Sequence, residues 1–134
     1  MTIPARLRRR VIERARQRCE YCGLSQPGQE AEFQVDHVIP ISAGGATILG
    51  NLALACVSCS LRKGPRETAR DPQTGKDTAL FNPRRDLWSL HFRWEGERVI
   101  GLTAAGRATG SALSMNRPLA LAIRNEEQIR GRHP

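Results

Sequence analysis

Aromatic side chains are scarce in this sequence: two Trp, one Tyr and three Phe among 134 residues. A core with so few large apolar side chains is modest, and a chain of this size gains from a staple such as a metal. Acidic residues are also few. The 13 Asp and Glu face 21 Lys and Arg, which leaves a formal net charge of +8 and a pI near 10.6. That imbalance points to a polyanionic partner. Arg outnumbers Lys, which favours nucleic acid, because a guanidinium grips phosphate through a bidentate fork. No apolar run is long enough to cross a bilayer, and no basic amphipathic helix carries an aromatic face, so a membrane partner is not expected. The opening "MTIPARLRRR" has no apolar signal core, so a cytoplasmic (intracellular) setting is expected. Structural disulfides are rare there, so the four cysteines need another explanation. The length suits a single domain over residues 1–134.

The cysteines fall as Cys19-x2-Cys22 and Cys56-x2-Cys59. Two such pairs can wrap one tetrahedral Zn²⁺ through four thiolates, with the long spacer tied off at its base. Four free buried cysteines are the bland alternative. A redox CxxC would need a βαβ setting that this sequence does not offer. A zinc ion held by four thiolates has no open coordination position, so it is scaffold. The chemistry must lie in what it encloses.

Between the pairs, "FQVDHVIPI" at 33–41 alternates like a strand and is stopped by Pro40. "SAGGAT" at 42–47 is a turn or loop, and "NLALAC" from Asn51 is a short apolar stretch able to pair back on the first strand. Residues 57–63 suit a short helix closed by Gly64-Pro65. The order is strand, loop, strand, helix, with the cysteines at its edges.

The two CxxC pairs, Asp36-His37, Ile39-Pro40, Gly44-Gly45, Asn51-Leu52 and Lys63-Gly64 together resemble the HNH endonucleases of the zinc-braced ββα-metal type, over roughly residues 15–65. The resemblance implies an α+β fold with a ββα-metal (His-Me finger) core braced by the four-cysteine zinc site. An N-terminal helix precedes that core, and a C-terminal β-hairpin and two helices follow it over 66–134. It implies that His37 is the general base that activates water and that Asp36 binds a catalytic divalent metal. It implies that Asn51 braces the loop that aims the histidine at the scissile phosphate. The position after the last cysteine is usually Asn or His, a second metal ligand; here it is Ser60.

The chemistry is coherent without the name. Hydrolysis of an anionic phosphodiester needs a base that titrates near neutrality, which suits His37. It also needs a hard cation, which suits Mg²⁺ or Mn²⁺ on Asp36. Neighbours on a regular strand point to opposite faces, so both can serve one site only if the strand bends or the site straddles its edge. Ser60 leaves three readings open: an active enzyme with water filling the gap, an impaired one, or a zinc-braced DNA-binding module without cleavage. A zinc-organised protein-interaction module is a further alternative, without salt-dependent DNA affinity.

Outside this segment, "PARLRRRVIERARQR" at 4–18 suits a helix begun by Pro4, with Leu7, Val11, Ile12 and Ala15 on one face. Its arginines, Arg8 and Arg9 foremost, are candidates for phosphate contacts, as are Arg62 and Lys63 beside the site. Residues 66–87 look like loop, with Asp71-Pro72, Thr74-Gly75 and Asn82-Pro83 as turns. "LHFRW" and "RVIGLT" flank "EGE" as a hairpin of 90–94 with 98–103, with Trp88, Phe92 and Trp94 on its core side and His91 opposite as a surface or capping residue. Residues 103–116 and 117–132 suit two helices. Gly106 and Gly110 weaken the first, and Leu119, Ala122, Ile123 and Ile129 give the second its apolar spacing.

Overall fold

The computed structural model describes residues 3–134. It is a mixed α/β arrangement of five α-helices and three two-stranded antiparallel sheets among the described residues. Helix α1 spans Ala5–Arg14 and begins after Pro4. Val11 is fully buried on it, with Leu7, Ile12 and Ala15 packed beside it, as the apolar spacing predicts. Arg16 and Gln17 then take left-handed conformations (φ 55° and 59°) and turn the chain into Cys19. The α1 arginines are not all surface groups: Arg14 donates to the carbonyls of Leu49 at 2.9 Å and Leu52 at 2.6 Å.

Strand β1 (Gln34–His37) pairs with β2 (Leu52–Ala55), placing Asp36 opposite Ala53 and His37 opposite Leu52. The strand ends at His37, three residues before Pro40: the Val38 N–H still bonds the Asn51 carbonyl at 2.8 Å, but the Asn51 N–H turns back to the carbonyl of Ile48 at 2.9 Å. Every residue of β2 is buried. Helix α2 (Val57–Lys63) follows at once, with Cys56 as its N-cap and Gly64 ending it.

The stretch expected to be loop at 66–87 contains a second hairpin, β3 (Thr68–Arg70) with β4 (Asp77–Ala79). Three-residue strands carry almost no alternation to read. This hairpin is fixed from outside, by a two-pronged pair from Arg107 to the fully buried Asp71 at 3.0 and 2.8 Å. The third hairpin is β5 (Phe92–Glu95) with β6 (Arg98–Gly101), slightly shorter than expected because Trp88–His91 form the short helix α3. Phe92 is buried, Trp88 stacks against it and Trp94 stacks on Trp88. His91 caps: its Nδ1 lies 2.7 Å from Oγ1 of Thr103, the N-cap of helix α4 (Ala104–Ala112). Gly106 does not weaken α4 here. A Cβ at that position would sit 2.1 Å from the carbonyl oxygen of His91, so its absence lets the helix lie against the hairpin.

The packed face of helix α5 (Pro118–Ile129) follows the sequence reading only at Ile123, which packs on the main apolar cluster. Leu119, Ala122 and Ile129 face outward, and the buried positions are Ala120, Arg124 and Glu127. Burial of that charged face is made possible by partners contributed from elsewhere, described below. One apolar cluster runs from Ile3 through β1 and β2 to Phe92, Leu113 and Met115, and a smaller one joins Ala69, Leu80 and Ala108.

Candidate metal centre and adjoining cleft

The four cysteines come together. Cys19, Cys22, Cys56 and Cys59 are buried, and their sulfurs all lie within 4.8 Å of one another. The closest recorded approach, Cys22 to Cys56, is 3.7 Å. Four sulfurs at about 2.3 Å from a tetrahedral zinc stand about 3.8 Å apart, so the spacing fits that ion. Each CxxC also folds as a knuckle. The N–H of Cys22 points at the sulfur of Cys19, and the N–H of Cys59 at that of Cys56, both at 3.4 Å. Burial pushes the Cys19 thiol well above its ordinary range. So many buried sulfurs in contact cannot all ionise without a cation among them. The site is compatible with zinc.

The cleft beside it is built from β1, the following loop and α2. Asp36, His37 and Ser60 line one open cavity of about 430 Å³, together with Ile3, Pro40 and Gly64. Adjacent strand residues share it because β1 stops at His37, so the site straddles the strand's end. Asp36 is half-buried beside Ser60. Burial raises its carboxyl above the ordinary range, while Ser60, the Lys63 ammonium and His37 draw it back down. Its carboxylate and the serine hydroxyl are hard oxygen donors, the type that Mg²⁺ or Mn²⁺ takes.

The loop over the cleft is held by Asn51. Its Oδ1 accepts from the Ile39 N–H at 2.8 Å, and its Nδ2 donates to the carbonyls of Ile39 at 3.0 Å and Ala46 at 2.9 Å. Gly45 is required here: a Cβ would fall 1.8 Å from the Ile39 oxygen and 2.8 Å from Asn51 Nδ2. The same loop carries Thr47, whose Oγ1 lies 2.8 Å from Nε2 of His37. No sequence signal marked that threonine; it is a lone polar residue in a polar loop.

Two residues expected to meet phosphate differ in exposure. Lys63 is only 3% exposed, and its ammonium turns inward toward the carbonyls of His37 and Gly64, at 3.5 Å each. Burial lowers its pKa and Asp36 raises it, so it supports the site from within. Arg62 is exposed but lines a groove on the other side of α2 with Arg107 and Arg117. Arg9 is exposed and Arg8 half-buried on α1.

Residues 19–66 match the family model for HNH endonuclease. That segment holds both cysteine knuckles, β1, β2 and α2. No curated protein and no solved structure matches the chain. No helix among the described residues is long and apolar enough to cross a membrane.

Proposed function

We propose that this protein is a metal-dependent HNH endonuclease that hydrolyses DNA phosphodiester bonds, with β1, β2 and α2 as a ββα-metal core. The observation that carries the reading is the meeting of Asp36, His37 and Ser60 in one open cleft beside a closed four-sulfur cluster. Asp36 and Ser60 would hold a Mg²⁺ or Mn²⁺ ion, which when bound offsets charge on the phosphate and the leaving oxygen. His37 takes a proton from the attacking water. Its Nε2 is engaged by Thr47, which leaves Nδ1 to accept that proton. Asn51 never touches the ring; it acts through the loop that carries Thr47. Cys19, Cys22, Cys56 and Cys59 hold structural zinc. Arg8 and Arg9, together with Arg62 across α2, meet backbone phosphate. The chain works in the cytoplasm as one unit, with residues 66–134 packed on the core.

Ser60 favours a second reading, a zinc-braced DNA-binding module without cleavage. Its hydroxyl is shorter than an asparagine side chain and is a weak, neutral ligand. A plasmid-nicking assay with Mg²⁺ or Mn²⁺ separates the two. The expected result is nicking that His37→Ala abolishes while zinc content stays unchanged. If wild type binds without cutting and S60N cuts, Ser60 is the lesion. If both bind and neither cuts, cleavage is rejected in favour of the binding module.

A further inference from the structure

Arg124 is the largest fully buried side chain in the protein, 1% exposed. Its hydrogen bonds go to neutral acceptors: the carbonyls of Glu97 at 3.0 Å and Cys22 at 3.1 Å, and Asn116 Oδ1 at 3.4 Å. Its Nε has no partner, and the guanidinium lies 5.3 Å from the ring centre of Trp94. The ion pairs among the described residues use other groups: Arg84–Glu20, Arg93–Glu95, Arg107–Asp71, Arg130–Glu126 and Arg132–Glu127. Arg124 therefore has no carboxylate. A buried guanidinium without an opposite charge is strongly unfavourable, and such groups are normally paired.

The bond to the Cys22 carbonyl sets the guanidinium against the first knuckle. Burial works against its charge, and Cys22 and then Cys59 work in its favour. Four thiolates around a divalent ion leave a net charge of about −2 on the cluster. A positive charge against the backbone of one knuckle offsets part of that charge.

We infer that Arg124 is the counter-charge of the four-cysteine cluster, an outer residue that retains the bound metal and makes docking of α5 conditional on it. The inference rests on the zinc site and is independent of the cleavage reading. It also accounts for the inverted face of α5. The helix buries Arg124 toward the cluster and leaves Leu119 and Ile129 outside.

The test follows zinc transfer from the full-length, zinc-loaded protein to a chromophoric chelator at neutral pH. Outer residues of metal sites are worth roughly ten- to hundredfold in retention, and R124M should release zinc faster by that factor. R124K, which keeps the charge, should stay within a few-fold of wild type. R132M is the control, since it breaks the pair between Glu127 of α5 and a residue just beyond the helix, and Arg132 makes no bond to the cluster cysteines. It should leave release unchanged. In the cobalt-substituted protein, R124M should also shift the sulfur-to-metal charge-transfer band. The inference is overturned if R124M retains zinc like wild type, or if R132M speeds release as much as R124M does. Should R124M fail to fold, R124K decides. Release within a few-fold of wild type supports the counter-charge, and a hundredfold acceleration overturns it.

Discussion

Replacing Asn51 by Ala tests the account of the cleft most directly, because one side chain ties both ends of its loop. Asn51 is 7% exposed and makes three hydrogen bonds, to the N–H and C=O of Ile39 and to the C=O of Ala46. A net contribution of about 1 kcal/mol each gives roughly 3 kcal/mol. Ile39 and Ala46 are exposed enough for water to replace part of this, which lowers the expectation to about 2–3 kcal/mol. The measurement is urea unfolding with zinc in excess, so that cluster and fold are lost together. N51D sharpens it: Oδ1 still accepts from Ile39, but two donors become a carboxylate facing two carbonyls. N51D should therefore be at least as destabilised as N51A. A loss under about 0.5 kcal/mol in N51A, the range of an ordinary surface change, would refute the brace.

Gly45→Ala should be more damaging than a typical loop change, because the added methyl meets the Ile39 carbonyl and the Asn51 amide together. A loss of about 2 kcal/mol or more is expected in the same urea experiment, and a neutral result contradicts the close approach. Thr47→Val removes the hydroxyl at His37 Nε2 with little change in volume. Nicking should fall about tenfold with the melting point nearly unchanged, and unaltered activity would remove Thr47 from the site. Asp71→Asn should loosen the β3–β4 hairpin from α4 at neutral pH. The Arg107 guanidinium holds the Asp71 carboxyl well below the usual range, so its contribution is full above the ordinary carboxylate pKa and fades only as pH falls through the depressed value. The stability gap between variant and wild type should then be equal at pH 7 and pH 5. A gap that has already closed at pH 5 argues against the pair.

What could be read from the chain and what could not divide along one line. The knuckles, β1, β2, α2 and the third hairpin are each set by residues close in sequence, so spacing and alternation disclose them. The β3–β4 hairpin depends on Asp71 meeting Arg107, 36 residues away, and nothing near Asp71 announces that. Helix α5 misleads more strongly. Its apolar residues suggest a core face, yet Arg124 and Glu127 are buried, held by groups from outside the helix: Cys22, Glu97, Asn116 and Arg132. The site shows the same split. Asp36, His37 and Asn51 stand in a local pattern, but Thr47 gains its place only when the loop folds over the strand's end. Lys63 looks like a surface cation and is buried by the turn at Gly64.

The first cysteine knuckle is covered from outside the stretch that carries the cysteines, by one neighbour and two distant residues. Trp88 Nε1 donates to the Tyr21 carbonyl at 2.8 Å, Arg124 to that of Cys22 and Arg18 to that of Gly23 at 2.9 Å. All three donors lie outside residues 19–66, the stretch that carries the family's pattern. A fragment cut to that stretch would keep all four sulfurs and expose three consecutive backbone carbonyls to water. During synthesis the two knuckles emerge long before residue 124, so the metal clamp can close early but is lidded only when the last helix arrives.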